Sequence, residues 1–285
     1  SAVIGIYRKT AMKIINTYPA LLAAYEGTVF RLEKWRAYID SVLPDISPQL
    51  ISDVDECLRT GKFTWENDYL PVLNAVVRNN VLQEKAHNSF CSVTEDLERT
   101  IYDRFGKSLD VDIIFYLGLC NGAGWVTQYR GRNAVLLGIE KIMELNWCGT
   151  DDMRGLIYHE LGHAYQGQYG ILKRPFRDHK DRFLWQLFTE GIAMYFEQAL
   201  VEDLNYYHQD KNGWKKWCDD HLEEMKADFD RDLKTMTPAS QRYFGDWVVY
   251  NGHSDVGYYL GCRFVHHILS VYPFDEMICF DIDEV

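Results

Sequence analysis

No stretch of this 285-residue chain approaches the roughly 18 consecutive apolar residues of a membrane-spanning helix, so a membrane span is not expected. Basic clusters are equally scarce. The formal net charge is −12 and no Lys/Arg-rich run occurs, which argues against nucleic acid as a partner. No Cys-x-x-Cys pair occurs either. The seven cysteines (Cys57, Cys91, Cys120, Cys148, Cys218, Cys262 and Cys279) are scattered and odd in number. Such usage predicts free thiols in a reducing, cytoplasmic compartment rather than a disulfide framework. The start, "SAVIGIYRKTAMKIINTY", is no secretory signal, because its apolar positions are spaced and interrupted by Arg8, Lys9 and Lys13. Ser1 stands where an initiator Met would, so processing is expected there, with room for an upstream segment. Also missing are a Gly-x-Ser-x-Gly elbow, a phosphate loop, a dinucleotide fingerprint, internal repeats and a low-complexity linker.

What remains is a globular composition. Hydrophobic residues make up 47% and charged residues 25%, enough for one large or two smaller cores. Residues 1 to about 108 read as helices. "SPQLISDVDECLRTG" places Ser47 as an N-cap, Pro48 at the first helical position and Gly61 beyond the end. "YLPVLNAVVRNNVLQEKAHNSF" has helical spacing after Pro71. "SVTEDLERTIYDRFG" offers Ser92 and Glu95 at capping-box spacing and Gly106 as a stop. The texture then changes. "VDIIFYLGLC" is β-branched and aromatic, and "WVTQY", "RGRN" and "AVLLGIE" read as a hairpin. A small sheet is therefore expected just before residue 150, and mostly helix after it.

The segment "GTDDMRGLIYHELGHAYQGQYG" reads as a helix opened by Thr150, with Asp151 and Asp152 at its positive end and Gly167 and Gly170 suited to its stop. Inside it lies His159-Glu160-x-x-His163. Four residues of α-helix turn about 400° and rise about 6 Å, so both imidazoles project from one face, one turn apart. They can share one ion at the roughly 2.0–2.1 Å that suits zinc. Glu160 is rotated about 100° from His159 and flanks the ion without binding it. A carboxylate there can take a proton from a metal-bound water, whose pKa the metal lowers toward about 7. The competing reading is a surface helix with two solvated histidines. Leu156, Ile157, Leu161 and Ala164 leave that helix little polar face, and buried imidazoles need partners.

A catalytic zinc usually has three protein ligands and water. The third is sought on the next helical segment, "DRFLWQLFTEGIAMYFEQALVEDL". Glu190 is the favoured candidate, because Phe188, Ile192 and Phe196 make its surroundings hostile to an unpaired carboxylate. Gly191 and Ala193 would let the two helices come close. Glu197, two turns on, is a rival, and His179 on the connecting loop a weaker one. The bland alternative is a first-turn Glu stabilised by the helix dipole. His87, His208 and His221 read as residues of polar surroundings, and His266 and His267 as ordinary helix residues.

"HELGH" followed by "TEGIAMYFE" resembles the gluzincin metallopeptidases, which include thermolysin-like and aminopeptidase-like enzymes. With "VDIIFYLGLCNGAG", "AVLLGIE" and "GYYLGCRFVHHIL", residues 109–272 look more narrowly like bacterial predicted zinc-dependent proteases. The resemblance implies zinc on His159, His163 and Glu190, with Glu160 as general base. It implies Tyr258 as the partner of the developing oxyanion, with Tyr259 and His253 as fallbacks, and an edge strand near "GAGWVTQY" that holds the substrate backbone. One departure stands out. Thermolysin-like relatives carry an Asp four residues after the third ligand to orient a histidine, and here that position is Met194. The orienting group must come from Glu197, Asp181 or a backbone carbonyl.

The expected fold is α+β and mostly helical, with a zincin-like core. The expected parts are a helical region 1–108, a sheet with metal-site helices over 109–200, and a helical region 201–285 closing the cleft. The expected activity is zinc-dependent hydrolysis of a peptide or protein substrate. The absence of a Gly-Ala-Met-Glu-Asn-like strand favours internal cleavage over aminopeptidase action. The competing functions are a non-catalytic binding protein on the same scaffold and a zinc hydrolase of non-peptide amides.

Overall fold

The computed structural model describes residues 12–285, so the first part of the N-terminal helical reading lies outside the described residues. The chain divides into two compact units, one ending at Ile157 and the other running from Tyr158 to Val285. The boundary falls within the motif helix, whereas the changes of texture at residues 108 and 200 fall inside the units.

The first unit opens with strand β1 (Met12–Asn16) and a small hairpin of β2 (Tyr25–Glu26) and β3 (Val29–Phe30). Helices α1 (Leu32–Val42), α2 (Ser47–Arg59), α3 (Leu70–Arg78), α4 (Asn80–Thr94) and α5 (Leu97–Phe105) follow. Then come β4 (Val111–Tyr116), β5 (Gly124–Tyr129), β6 (Arg132–Gly138) and α6 (Ile139–Glu144). The sheet runs β1-β4-β6-β5, with β1, β4 and β6 parallel and β5 antiparallel on the edge. All six residues of β4 are buried, as a parallel strand covered on both faces requires. The hairpin reading of β5 and β6 holds. Arg130 (φ 50°) and Gly131 (φ 76°) both take the left-handed conformation that matches the twist of paired strands.

Three local expectations are corrected here. Residues 12–16 form a strand, not helix, because β4 offers them a parallel partner about a hundred residues on. Ser47 does not cap α2: its hydroxyl donates to Asp40 Oδ1 instead, at 2.8 Å. Ser92 and Glu95 form no capping box, since α4 runs through Ser92 to Thr94. α5 starts only at Leu97, and a further break lies earlier, at Asn79, whose side chain accepts the Leu82 N–H at 3.1 Å. Gly106 ends α5 with φ 67°, as expected.

The second unit takes over part-way along α7 (Thr150–Tyr169) and continues with α8 (His179–Val201), α9 (Trp214–Asp220), α10 (Leu222–Asp232), α11 (Val256–Leu269) and α12 (Phe274–Met277). The start of α8 is capped by Asp178, which accepts the Asp181 N–H at 2.8 Å. Small residues set the crossings. A Cβ on Gly162 of α7 would lie 2.8 Å from Ala193 Cα of α8. A Cβ on Gly191 would lie 2.2 Å from the Gly261 carbonyl oxygen of α11. Gly191 thus brings α8 against α11 rather than against α7, which is the work of Gly162 and Ala193. Among the described residues no helix is long and apolar enough to cross a membrane, and all seven cysteines are free.

Candidate metal centre

Apolar residues around the motif hold α7 in place. Leu156 and Ile157 precede it, and Leu161 and Ala164 within and after it are buried too. His159 is 5% exposed and Glu160 9%. The helical repeat presents His159 and His163 from one face, their rings 5.0 Å apart and nearly perpendicular. Opposite them, Glu190 sits in the middle of α8, not in its first turn, so no helix N-terminus accounts for it. Glu190 Oε2 lies 2.8 Å from His159 Nε2 and 3.2 Å from His163 Nε2. Two ring nitrogens and one carboxylate oxygen therefore converge on a common point, all within 4.8 Å of one another.

The electrostatics follow from this burial. Burial alone opposes charge on Glu190, but His163 and His159 outweigh it and hold the carboxyl far below its usual range. Burial pulls His159 down, yet Glu190 and Glu197 together carry it well above the ordinary imidazole value. Glu160 is pushed up by burial and by Glu190 and Glu197, with His163 and His159 acting against them.

Of the three groups the sequence offers for orienting a histidine in the absence of an Asp at Met194, Glu197 is the one in contact with His159. Its Oε2 lies 2.7 Å from His159 Nδ1, leaving Nε2 to face Glu190. Asp181 is occupied elsewhere, accepting from Arg177 Nε at 2.6 Å. Glu197 is therefore not the third member of that set; with His159 and His208 it forms a second close group of possible ligands. His179, exposed at the first residue of α8, is on the order of 16 Å along the axis from Glu190 and takes no part.

Sequence reasoning missed His208. It does not belong to a merely polar surface: its Nδ1 lies 2.7 Å from Glu197 Oε1, and its ring is 5.6 Å from that of His159. Glu197 is completely buried and bonded on both oxygens. The signal that would have found it is Glu197 itself, a carboxylate inside an apolar helix that needs partners. His163 has no such anchor, its Nδ1 being buried without a hydrogen-bond partner among the described residues.

Tyr258, near the start of α11, stands with its ring 5.8 Å from that of His159. Burial, then Glu190 and Asp255, push its phenol well above the ordinary value. The fallbacks lie elsewhere. Tyr259 is fully buried and donates its hydroxyl to Asp219, and His253 stacks on Trp217 at 3.9 Å.

Comparison with family models, curated proteins and solved structures finds no match.

Proposed function

We propose that the protein is a zinc-dependent peptidase. One observation carries this reading: the Nε2 atoms of His159 and His163 converge with Glu190 Oε2, His159 buried and the other two partly so. The donor set, two imidazoles and one carboxylate, is that of catalytic zinc sites, which keep a position open beyond three protein ligands. The ring placement fits as well. With Nδ1 of His159 donating to Glu197, Nε2 is the nitrogen left to bind a metal. In this reading the fold is zincin-like.

When bound, zinc would supply Lewis acidity and lower the pKa of water toward about 7. The protein's own groups do the rest. Glu160 accepts a proton and passes it to the leaving amine, and burial raises its carboxyl above the usual carboxylate value. Tyr258, held protonated by burial, donates its O–H to the oxygen on which charge develops. The substrate is a peptide or protein, and internal cleavage is favoured.

Metal analysis of the purified chain, followed by digestion of a peptide library, tests the reading. About one equivalent of zinc is expected. Glu160→Gln is expected to keep the zinc and lose at least about 100-fold in hydrolysis. Full activity in that variant refutes the mechanism. Glu190→Ala should lose metal, and unchanged zinc content would remove Glu190 from the site.

A further inference from the structure

We infer that His208 is a positioning residue of the metal centre, acting through Glu197 on His159. The inference rests on the zinc reading above and adds to it a residue outside the motif helix.

The geometry is a three-membered chain. A carboxylate can only accept hydrogen bonds, so the ring nitrogens facing it must donate. His159 Nδ1–H donates to Glu197 Oε2 and His208 Nδ1–H donates to Glu197 Oε1, each at 2.7 Å. Both oxygens are thereby used, and the carboxylate has one rotation in which both bonds form. A completely buried carboxylate bonded on one side only would be free to turn and would bear an uncompensated desolvation cost. Removing His208 therefore does not merely delete a distant bond. It releases the group that sets the ring plane and tautomer of His159.

The position of His208 is itself enforced. Glu202 ends α8 in the left-handed conformation (φ 59°), which turns the chain back along the helix it has just left. Gln198 Nε2 then donates to the Tyr206 carbonyl at 2.9 Å. Tyr207 is buried between Trp214 and Tyr259. Gln209 Nε2 contacts Met194 Sδ at 3.5 Å. Each neighbour of His208 is tied down, so the ring is delivered to Glu197 from a fixed backbone. The asymmetry of the site makes this matter. His163 lacks a partner on Nδ1 among the described residues, so the orientation of the imidazole pair depends on the His159 side.

The test compares the full-length protein with His208→Leu, which lacks the donor, and His208→Asn, whose amide N–H falls where Nδ1–H was. Zinc affinity is read by competition with a chromophoric chelator, and the visible spectrum of the cobalt-loaded forms reports ligand geometry. Unfolding of the metal-free proteins is followed in parallel. The leucine variant is expected to bind zinc about 10-fold more weakly with a changed cobalt spectrum, and the asparagine variant to recover both. His208→Gln, whose amide reaches the Nε2 position instead, replaces the leucine variant if that one does not fold. Equal zinc affinity and spectrum in all variants, with only metal-free stability lowered, overturns the proposal: His208 then just fastens a loop. Two equivalents of zinc in the wild type, one lost with His208, also overturns it, because His208 and Glu197 would be ligands. A wild-type protein that takes up no zinc overturns this inference together with the peptidase reading, whereas normal wild-type uptake confines any failure to His208.

Discussion

His159 uses both ring nitrogens, one toward Glu190 and one toward Glu197, and the candidate site is organised around that division. At this scale Tyr258 offers a sharp prediction. Its phenol is held well above the usual value by burial, so it remains a donor at neutral pH. Tyr258→Phe keeps the ring edge-on near His159 and deletes only the hydroxyl. The expected result is a fall of about 100-fold in kcat with zinc content unchanged, measured by steady-state kinetics on a fixed peptide and metal analysis. An unaltered kcat would leave Tyr258 as packing. The motif histidines and Glu160 were legible because a helix repeats every few residues, so spacing alone puts them on one side. Glu190 was legible because an acid among Phe188, Ile192 and Phe196 demands a partner. His208 was not, since it lies on an irregular segment where spacing says nothing about direction.

Elements meet where side chains are smallest. Gly191 and Gly261 bring the backbones of α8 and α11 together, and α11 carries Tyr258 while α8 carries Glu190 and Glu197. A methyl at Gly191 would lie 2.2 Å from a backbone oxygen, which no side-chain rotation can relieve. Gly191→Ala should therefore destabilise the protein by about 3 kcal/mol, visible in the denaturant midpoint. Because the helices must separate to admit it, hydrolysis should fall as well. By contrast, Gly213→Ala meets nothing within 4 Å and costs only the strain of its φ of +81°. Element type was readable for the long periodic segments, α7 and α8 above all. Strand β1 was not, because five residues with an exposed Lys13 carry no periodic signal, and its partner β4 is remote in sequence.

The whole molecule carries a formal charge of −12, yet its most consequential acid outside the candidate site is one buried carboxyl. Glu140 is completely buried in the first unit, and its Oε2 accepts the Gly118 N–H at 2.8 Å. Burial raises it from 4.5 to about 7 against the pull of backbone N–H groups from Glu140, Gly118 and Cys120. The folded state thus holds this proton more tightly than the unfolded chain does. Its stabilisation is complete below pH 4.5 and is lost as pH rises toward about 7. The loss amounts to about 3 kcal/mol. Glu140→Gln cannot titrate, so the difference in unfolding free energy between wild type and variant should change by that amount across the interval and be level above it. A difference that stays constant with pH would show that folding leaves the Glu140 carboxyl unshifted.

By itself the sequence determined what depends on near neighbours: helices with their apolar faces, the hairpin of β5 and β6, and the pairing of His159 with His163 across one turn. It also named Glu190, because burying an acid in an apolar stretch is a local contradiction. Only the tertiary structure decided which acid faces Nε2 and which faces Nδ1, that the anchor reaches His208, and that Gly191 serves α11 rather than α7. Those outcomes turn on where one element lies against another. That is set by shape and burial summed over many residues far apart in the chain, and no spacing along the chain encodes it.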